Sequence, residues 1–119
     1  MEKRTMGRIG EDLAAEHLRA KGYRILERNF SCRFGEADII ASGSGYLVFA
    51  EVKLRKNSRF AEAREFVDRK KQEKIILTAR YYLMTHETDL PVRFDVIEIY
   101  VSGDRERKPV IEHIVNAFE

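Results

Sequence analysis

From Gly7 to Lys21 the apolar residues recur at helical spacing, and Gly22 follows as a stop signal, so this segment predicts a first helix. The pattern then changes. "YRILERNFSC" is rich in β-branched and aromatic residues, and "EADIIA" and "YLVFAEVKL" are two further apolar runs on either side of "SGSG", a hairpin turn signal. Together these predict three consecutive strands. "RKNSRFAEAREF" is polar, carries two aromatics and has no firm period, and it reads as a loop or irregular crossover. Asp68 is placed to cap a long second helix reaching His86, because Ile75, Ile76, Ala79 and Leu83 repeat along one helical face. Pro91 opens the alternating strand "VRFDVIEIYV", and "GDRERK" with Pro109 reads as a turn before a short strand near "VIEHIV". The order helix, three strands, helix, two strands predicts an α/β fold. Its mixed sheet would contain an antiparallel three-strand meander, with a crossover helix bringing the fourth strand alongside.

With 119 residues and 44% hydrophobic content, the chain is sized for one modest core, and a single domain over residues 1–119 is expected. Lys plus Arg number 22 against 20 Asp plus Glu, a net charge of only +2, so any nucleic-acid surface must come from clustering of basic residues. No run approaches the roughly 18 apolar residues of a membrane span, and "MEKRTMGRIGEDL" lacks the apolar core of a signal peptide. A cytoplasmic protein with no membrane partner is expected. Cys32 is the sole cysteine, and His17, His86 and His113 lack zinc-ligand spacing, which argues against an internal disulfide and a Cys/His zinc site.

The chemistry lies in charges set inside apolar runs. Side chains alternate along a strand, so Glu36 and Asp38 share one face of the second strand, and Glu51 and Lys53 one face of the third. A two-residue loop at Gly43-Ser44 would put Asp38 opposite Phe49 and diagonal to Glu51. A four-residue loop from Gly43 to Tyr46 would put Asp38 directly opposite Glu51. Either register brings two carboxylates together, which destabilises a sheet unless a cation or a proton lies between them. Oxygen ligands from two strands suit Mg²⁺, and a lysine two residues from a metal-binding Glu can hold or activate a water for phosphodiester hydrolysis. The competing reading is a solvent-facing Glu-X-Lys pair on the open side of an antiparallel sheet.

Both helices add charges at their starts. Glu11 shares a stripe with Ala14, Ala15 and Leu18 and is expected in the first turn, pointing inward or simply favoured there by the helix dipole. Lys71 and Gln72 head the second helix, where phosphate is well accommodated, although a solvated charge run "DRKKQEK" explains them too. Arg33, Arg55, Lys56, Arg59 and Arg64, interleaved with Phe34, Phe60 and Phe66, suit a nucleic-acid groove; such phenylalanines also serve as core. Asp95 shares strand parity with Ile97 and Ile99, which predicts a partly buried carboxylate paired with Arg93 or Arg80.

Glu11, Asp38, Glu51-Val52-Lys53 and a helix carrying Lys71 and Gln72, in that order, resemble the restriction-endonuclease-like nuclease superfamily with its Asp...Glu-X-Lys motif. More closely, "GRIGEDLAAEHLRAKGYRILERNFSCRFGEADIIA", "LVFAEVKLR", "VDRKKQEKI" and "VRFDVI" are similar to the YraN-type family of uncharacterised bacterial proteins, related to archaeal Holliday junction resolvases. The resemblance implies Mg²⁺ or Mn²⁺ held by Asp38, Glu51 and the backbone carbonyl of Val52. It further implies that Lys53 positions the attacking water and that Glu11 completes the metal or water shell. Arg33, Arg55, Lys56, Lys71 and Gln72 would contact nucleic acid, expected to be branched or structured DNA, and a homodimer would fit the resolvase likeness. Two alternatives remain open: a non-catalytic nucleic-acid-binding module on the same fold, and a protein-interaction partner whose acidic cluster is a buried ion-pair network.

Overall fold

A computed structural model describes residues 6–55, 67–101 and 108–119. The sequence periodicities resolve into α1 (Met6–Ala20), β1 (Arg24–Cys32), β2 (Gly35–Gly43), β3 (Tyr46–Arg55), α2 (Arg69–Thr85), β4 (Val92–Tyr100) and β5 (Val110–Phe118). The predicted loop around Lys56 to Phe66 and most of "GDRERK" lie outside the described residues. Asp68 caps α2 by accepting a hydrogen bond from Lys71 N at 2.8 Å, which satisfies one of the orphan amides of the first turn. Among the described residues no helix is long and apolar enough to cross a membrane.

The strands form one five-stranded sheet in sequence order. β1, β2 and β3 are the antiparallel meander, β4 pairs parallel to β3 across the α2 crossover, and β5 returns antiparallel to β4. This is the α-β-β-β-α-β-β order and mixed sheet expected from the pattern of the sequence, and it agrees with the restriction-endonuclease-like resemblance. The helices cover opposite faces. Ala14, Ala15 and Leu18 of α1 pack on Ile39, Ala41, Val48, Ala50, Ile97 and Ile99, while Ile75, Ala79 and Tyr82 of α2 pack on Ile40, Leu47, Phe49 and Val96. Small residues on α1 let that helix lie close to the sheet, and the aromatic ring of Tyr82 meets Phe30 and Phe49 on the other side.

The hairpin between β2 and β3 turns at Ser44 and Gly45, with Gly43 paired to Tyr46 as the last rung. Both turn residues have positive φ, 53° and 82°, the handedness that matches strand twist in a two-residue hairpin. The tight turn thus lies one residue later than Gly43-Ser44, and the resulting register is that of the four-residue alternative. Gly43 is needed for a different reason: a Cβ there would fall 2.1 Å from the Tyr23 ring. Gly43→Ala is expected to lower stability by about 1–3 kcal/mol in urea denaturation, through overpacking against a buried side chain.

β5 is longer than the short strand predicted near "VIEHIV". Its alternation fades at Val115, Asn116 and Ala117, all exposed, which is why the sequence reads as ending there. Asn116 adopts φ 54° and donates its backbone N–H to Asp95 Oδ1 at 3.0 Å, carrying the strand past the irregularity so that Phe118 stacks on Phe94.

Candidate active site

The β2–β3 ladder runs to Ile39 opposite Ala50, and one further step puts Asp38 beside Glu51. The regular ladder stops there. Ala37 and Ile39, two residues apart, pack into opposite core layers, which a regular strand does not allow, so the alternation breaks at Asp38. Asp38 Oδ2 instead accepts from Val52 N at 2.9 Å. Because the N–H and C=O of a strand residue point toward the same neighbour, the Val52 carbonyl also faces this end of β2, beyond the last rung.

Glu51 is 6% exposed. Burial, then the adjacent Asp38 charge, pushes its carboxyl up to about 7, against the pull of Lys71. Its proximity to Asp38, close enough for a side-chain hydrogen bond, adds to that upward push on Glu51. Lys71 Nζ lies 3.3 Å from Glu51 Oε1, reaching in from the first turn of α2. Lys71, expected to contact nucleic acid, is thereby brought to the acid pair itself. Lys53 follows on the same face of β3, half-buried, with Glu98 of β4 as its ladder neighbour.

Glu11 approaches from the α1 side. The helix begins at Met6 and has no acidic residue in its first turn, so Glu11 sits in the second turn and the dipole explanation loses its basis. Among the described residues its Oε1 is buried without a hydrogen-bond partner, and burial together with the Asp38 and Glu36 charges raises its carboxyl pKa, with Asn29 and Arg28 opposing. Glu11 therefore lies within electrostatic reach of Asp38, lining an open hollow with Gly7, Arg8, Arg28 and Asn29.

The remaining predicted contacts divide. Gln72 turns away from the acids and donates Nε2 to Val67 O at 2.7 Å. Arg55 Nε is 2.8 Å from Glu98 Oε2, a carboxylate that is 2% exposed and also accepts from Tyr100 OH, so Arg55 is committed to a buried pair. Arg33 is exposed and stacks over Phe34, 4.9 Å from its centroid. Lys56, Arg59, Arg64, Phe60 and Phe66 lie outside the described residues. The sequence reading missed Glu98, although its place inside the apolar run "DVIEIY" was the same signal that singled out Glu51.

Asp95 is fully buried on the α1 face, the ladder neighbour of Ala50 and so one rung from Glu51 but on the opposite side of the sheet. Of the two candidate partners it takes Arg93, whose Nε and one terminal nitrogen lie 2.9 and 2.8 Å from its oxygens, while Arg80 is exposed on α2. His113 Nε2 donates to it at 2.7 Å, and Arg93 also donates to Tyr23 OH at 2.7 Å. Neither His113 nor Tyr23 was tied to Asp95 by any local pattern.

Among the described residues no three His, Cys, Asp or Glu side chains converge closely enough to hold an ion by themselves. A cation at the acid pair would rest on Asp38, Glu51 and the Val52 carbonyl, with the remaining positions left to water and phosphate oxygens. That is the habit of Mg²⁺, and the donor set is all hard oxygen. Two carboxyls crowded together, one of them buried and raised to about 7 despite Lys71, form a donor set whose charge chemistry suits a divalent ion.

The chain is similar over nearly its whole length to bacterial proteins. It is 41% identical over 119 residues to a UPF0102 protein of Caldanaerobacter subterraneus subsp. tengcongensis, covering 99% of this chain and 98% of that one. It is 46% identical over 114 residues to a UPF0102 protein of Persephonella marina, covering 95% and 92%, and 42% identical over 119 residues to one of Clostridioides difficile, covering 99% and 100%. The family model matches residues 10–99, a span that includes Glu11, the hairpin acids, Lys71 and Asp95. The chain thus belongs to the uncharacterised protein family UPF0102, the YraN family.

Proposed function

We propose that the chain is a metal-dependent endonuclease that hydrolyses phosphodiester bonds in branched or structured DNA. The observation that carries this reading is the buried Glu51 held against Asp38 at the end of a broken ladder, an arrangement that costs stability and is resolved by a divalent cation. Asp38, Glu51 and the Val52 carbonyl would hold Mg²⁺ or Mn²⁺, which when bound polarises the phosphate and acidifies a water. Lys53, two residues along the same face from Glu51, holds and orients the attacking water. Lys71, already 3.3 Å from Glu51, neutralises charge developing on the phosphate. Glu11 orders water on the α1 side of Asp38. Cutting both strands of a junction needs two such sites, which a homodimer would supply.

Calorimetric titration of Mn²⁺ is expected to show saturable binding to the native protein and none to the Asp38→Asn, Glu51→Gln double variant. With a DNA substrate, Lys53→Ala should lower Mn²⁺-dependent cleavage by at least about 100-fold. Equal activity in Lys53→Ala would assign the cleavage to a contaminant.

The Lys71–Glu51 ion pair favours a second reading, in which Lys71 serves permanently as the counter-charge and the chain binds nucleic acid without cutting it. Its signature is affinity that falls steeply with salt and is unchanged by Asp38→Asn.

A further inference from the structure

One strand away from the acid pair, on the α2 face of the sheet, a hollow of about 150 Å³ opens over β4 and β5. Its walls are Val96, Ile114, Ala117 and Phe118, with Val67 and the two polar groups Gln72 and Glu98 at its edges. The parallel ladder fixes where it lies. Val96 is the β4 neighbour of Glu51, and Glu98 is the neighbour of Lys53. The floor therefore begins one strand spacing, about 4.8 Å, from the residues that would grip a scissile phosphate. A hollow well below the ~300 Å³ of drug-sized sites takes one flat heterocycle rather than a whole nucleotide.

Both polar groups can accept. The Gln72 amide nitrogen gives one hydrogen to Val67 O, which fixes the side chain and leaves its carbonyl oxygen and second N–H for a ligand. Glu98 is a carboxylate held in place by Arg55 and Tyr100. Apolar walls with an aromatic ring replace the stacking that a base loses when it leaves a helix, and acceptors at the rim suit a base edge that presents N–H donors.

We propose, resting on the phosphodiesterase reading, that this hollow receives one nucleobase turned out of its stack, from the nucleotide joined to the phosphate at Asp38 and Glu51. The substrate class follows from that. A nucleotide unstacks cheaply at a branch point, gap, mismatch or single strand and expensively within continuous duplex, so the hollow selects strands with a loosened nucleotide beside the cut.

The test uses branched DNA in which 2-aminopurine, fluorescent when unstacked, replaces the base at successive positions around the branch, with a remote dye reporting binding by anisotropy. Binding is followed on the native protein in EDTA, and cutting is mapped separately with Mn²⁺. Fluorescence is expected to rise at one position next to the mapped cut. Ala117→Leu, which fills the hollow from its exposed rim, should remove that rise and slow cutting about tenfold, the equivalent of one lost stacking contact. If DNA is bound and cut while no labelled position responds, or if Ala117→Leu behaves as the native protein, the base-binding proposal falls and the phosphodiesterase reading stands. If no DNA is bound or cut, both fall.

Discussion

Glu51→Gln is expected to make the metal-free protein more stable at pH 8, by about 3 kcal/mol. The physical reason is linkage. Glu51 titrates at about 7 in the folded chain against an ordinary 4.5, so the folded state holds a proton that the unfolded state has released. Stability from this group is full below pH 4.5 and is lost as pH rises to about 7; each pKa unit of difference is worth about 1.4 kcal/mol. A neutral amide escapes that loss. Urea denaturation of native protein and variant at pH 5 and pH 8 should show the two nearly equal at the lower value and separated at the higher. A variant less stable than native at pH 8 would mean that the carboxylate is a structural partner of Lys71 and not a group kept for a ligand. Mn²⁺ should reverse the ranking by stabilising only the native protein, with proton release on binding below pH 7.

Asp95→Ala is expected to be the most damaging single change outside the acid pair, costing about 3–5 kcal/mol, enough to unfold a marginal domain. Burial by itself would raise the Asp95 carboxyl, but hydrogen bonds from His113, Arg93 and the Asn116 amide outweigh it and hold the group at about 2. Removing the carboxylate leaves the buried Arg93 without its bidentate partner and frees the irregularity in β5. The sign here is opposite to that of Glu51. A depressed carboxyl contributes stability above its ordinary 3.8 and loses it as pH falls to about 2, a contribution of about 2 kcal/mol. The joint contribution of these two acids is largest near pH 4, between the range where Asp95 gains a proton and the range where Glu51 loses one, and comparing thermal melts of the native protein, Glu51→Gln and Asp95→Asn across pH 2–8 isolates it. Native and variant melts that differ by the same amount at every pH would contradict it.

Much of this was legible in the sequence because it rests on local periodicity. α1, α2 and the meander follow from helical and two-residue spacing, and Asp68 caps α2 as its side chain and position predict. The acid pair was legible as carboxylates embedded in apolar runs, but its register was not. Choosing between turns in "SGSG" depends on which residues adopt positive φ, and Gly43 instead serves the close approach of Tyr23, twenty positions earlier in the chain. Glu11 was placed on the right helical stripe and in the wrong turn, because the apolar period that marks the stripe does not mark where the helix begins. Arg55 was read as a groove residue, and only the parallel pairing of β3 with β4, a contact across the whole crossover, shows that it serves Glu98. His113 meets Asp95, and Tyr23 its partner Arg93, for the same reason: these contacts are set by the fold and not by spacing.

The hairpin register has a kinetic side. Asp38 and Glu51 lie on adjacent antiparallel strands joined by a two-residue turn, whereas Lys71 and the β4 floor arrive only once the crossover has formed. Short-range pairings form early in a folding chain and parallel ones late, because the loop that joins parallel strands must close first. The two carboxyls therefore confront each other while the chain is still partly open and water can reach them. On the proposed metal-binding reading, a proton or a divalent ion would then act on the hairpin before the site is complete, and the refolding rate is expected to depend on pH and on Mn²⁺, which stopped-flow refolding with and without EDTA checks.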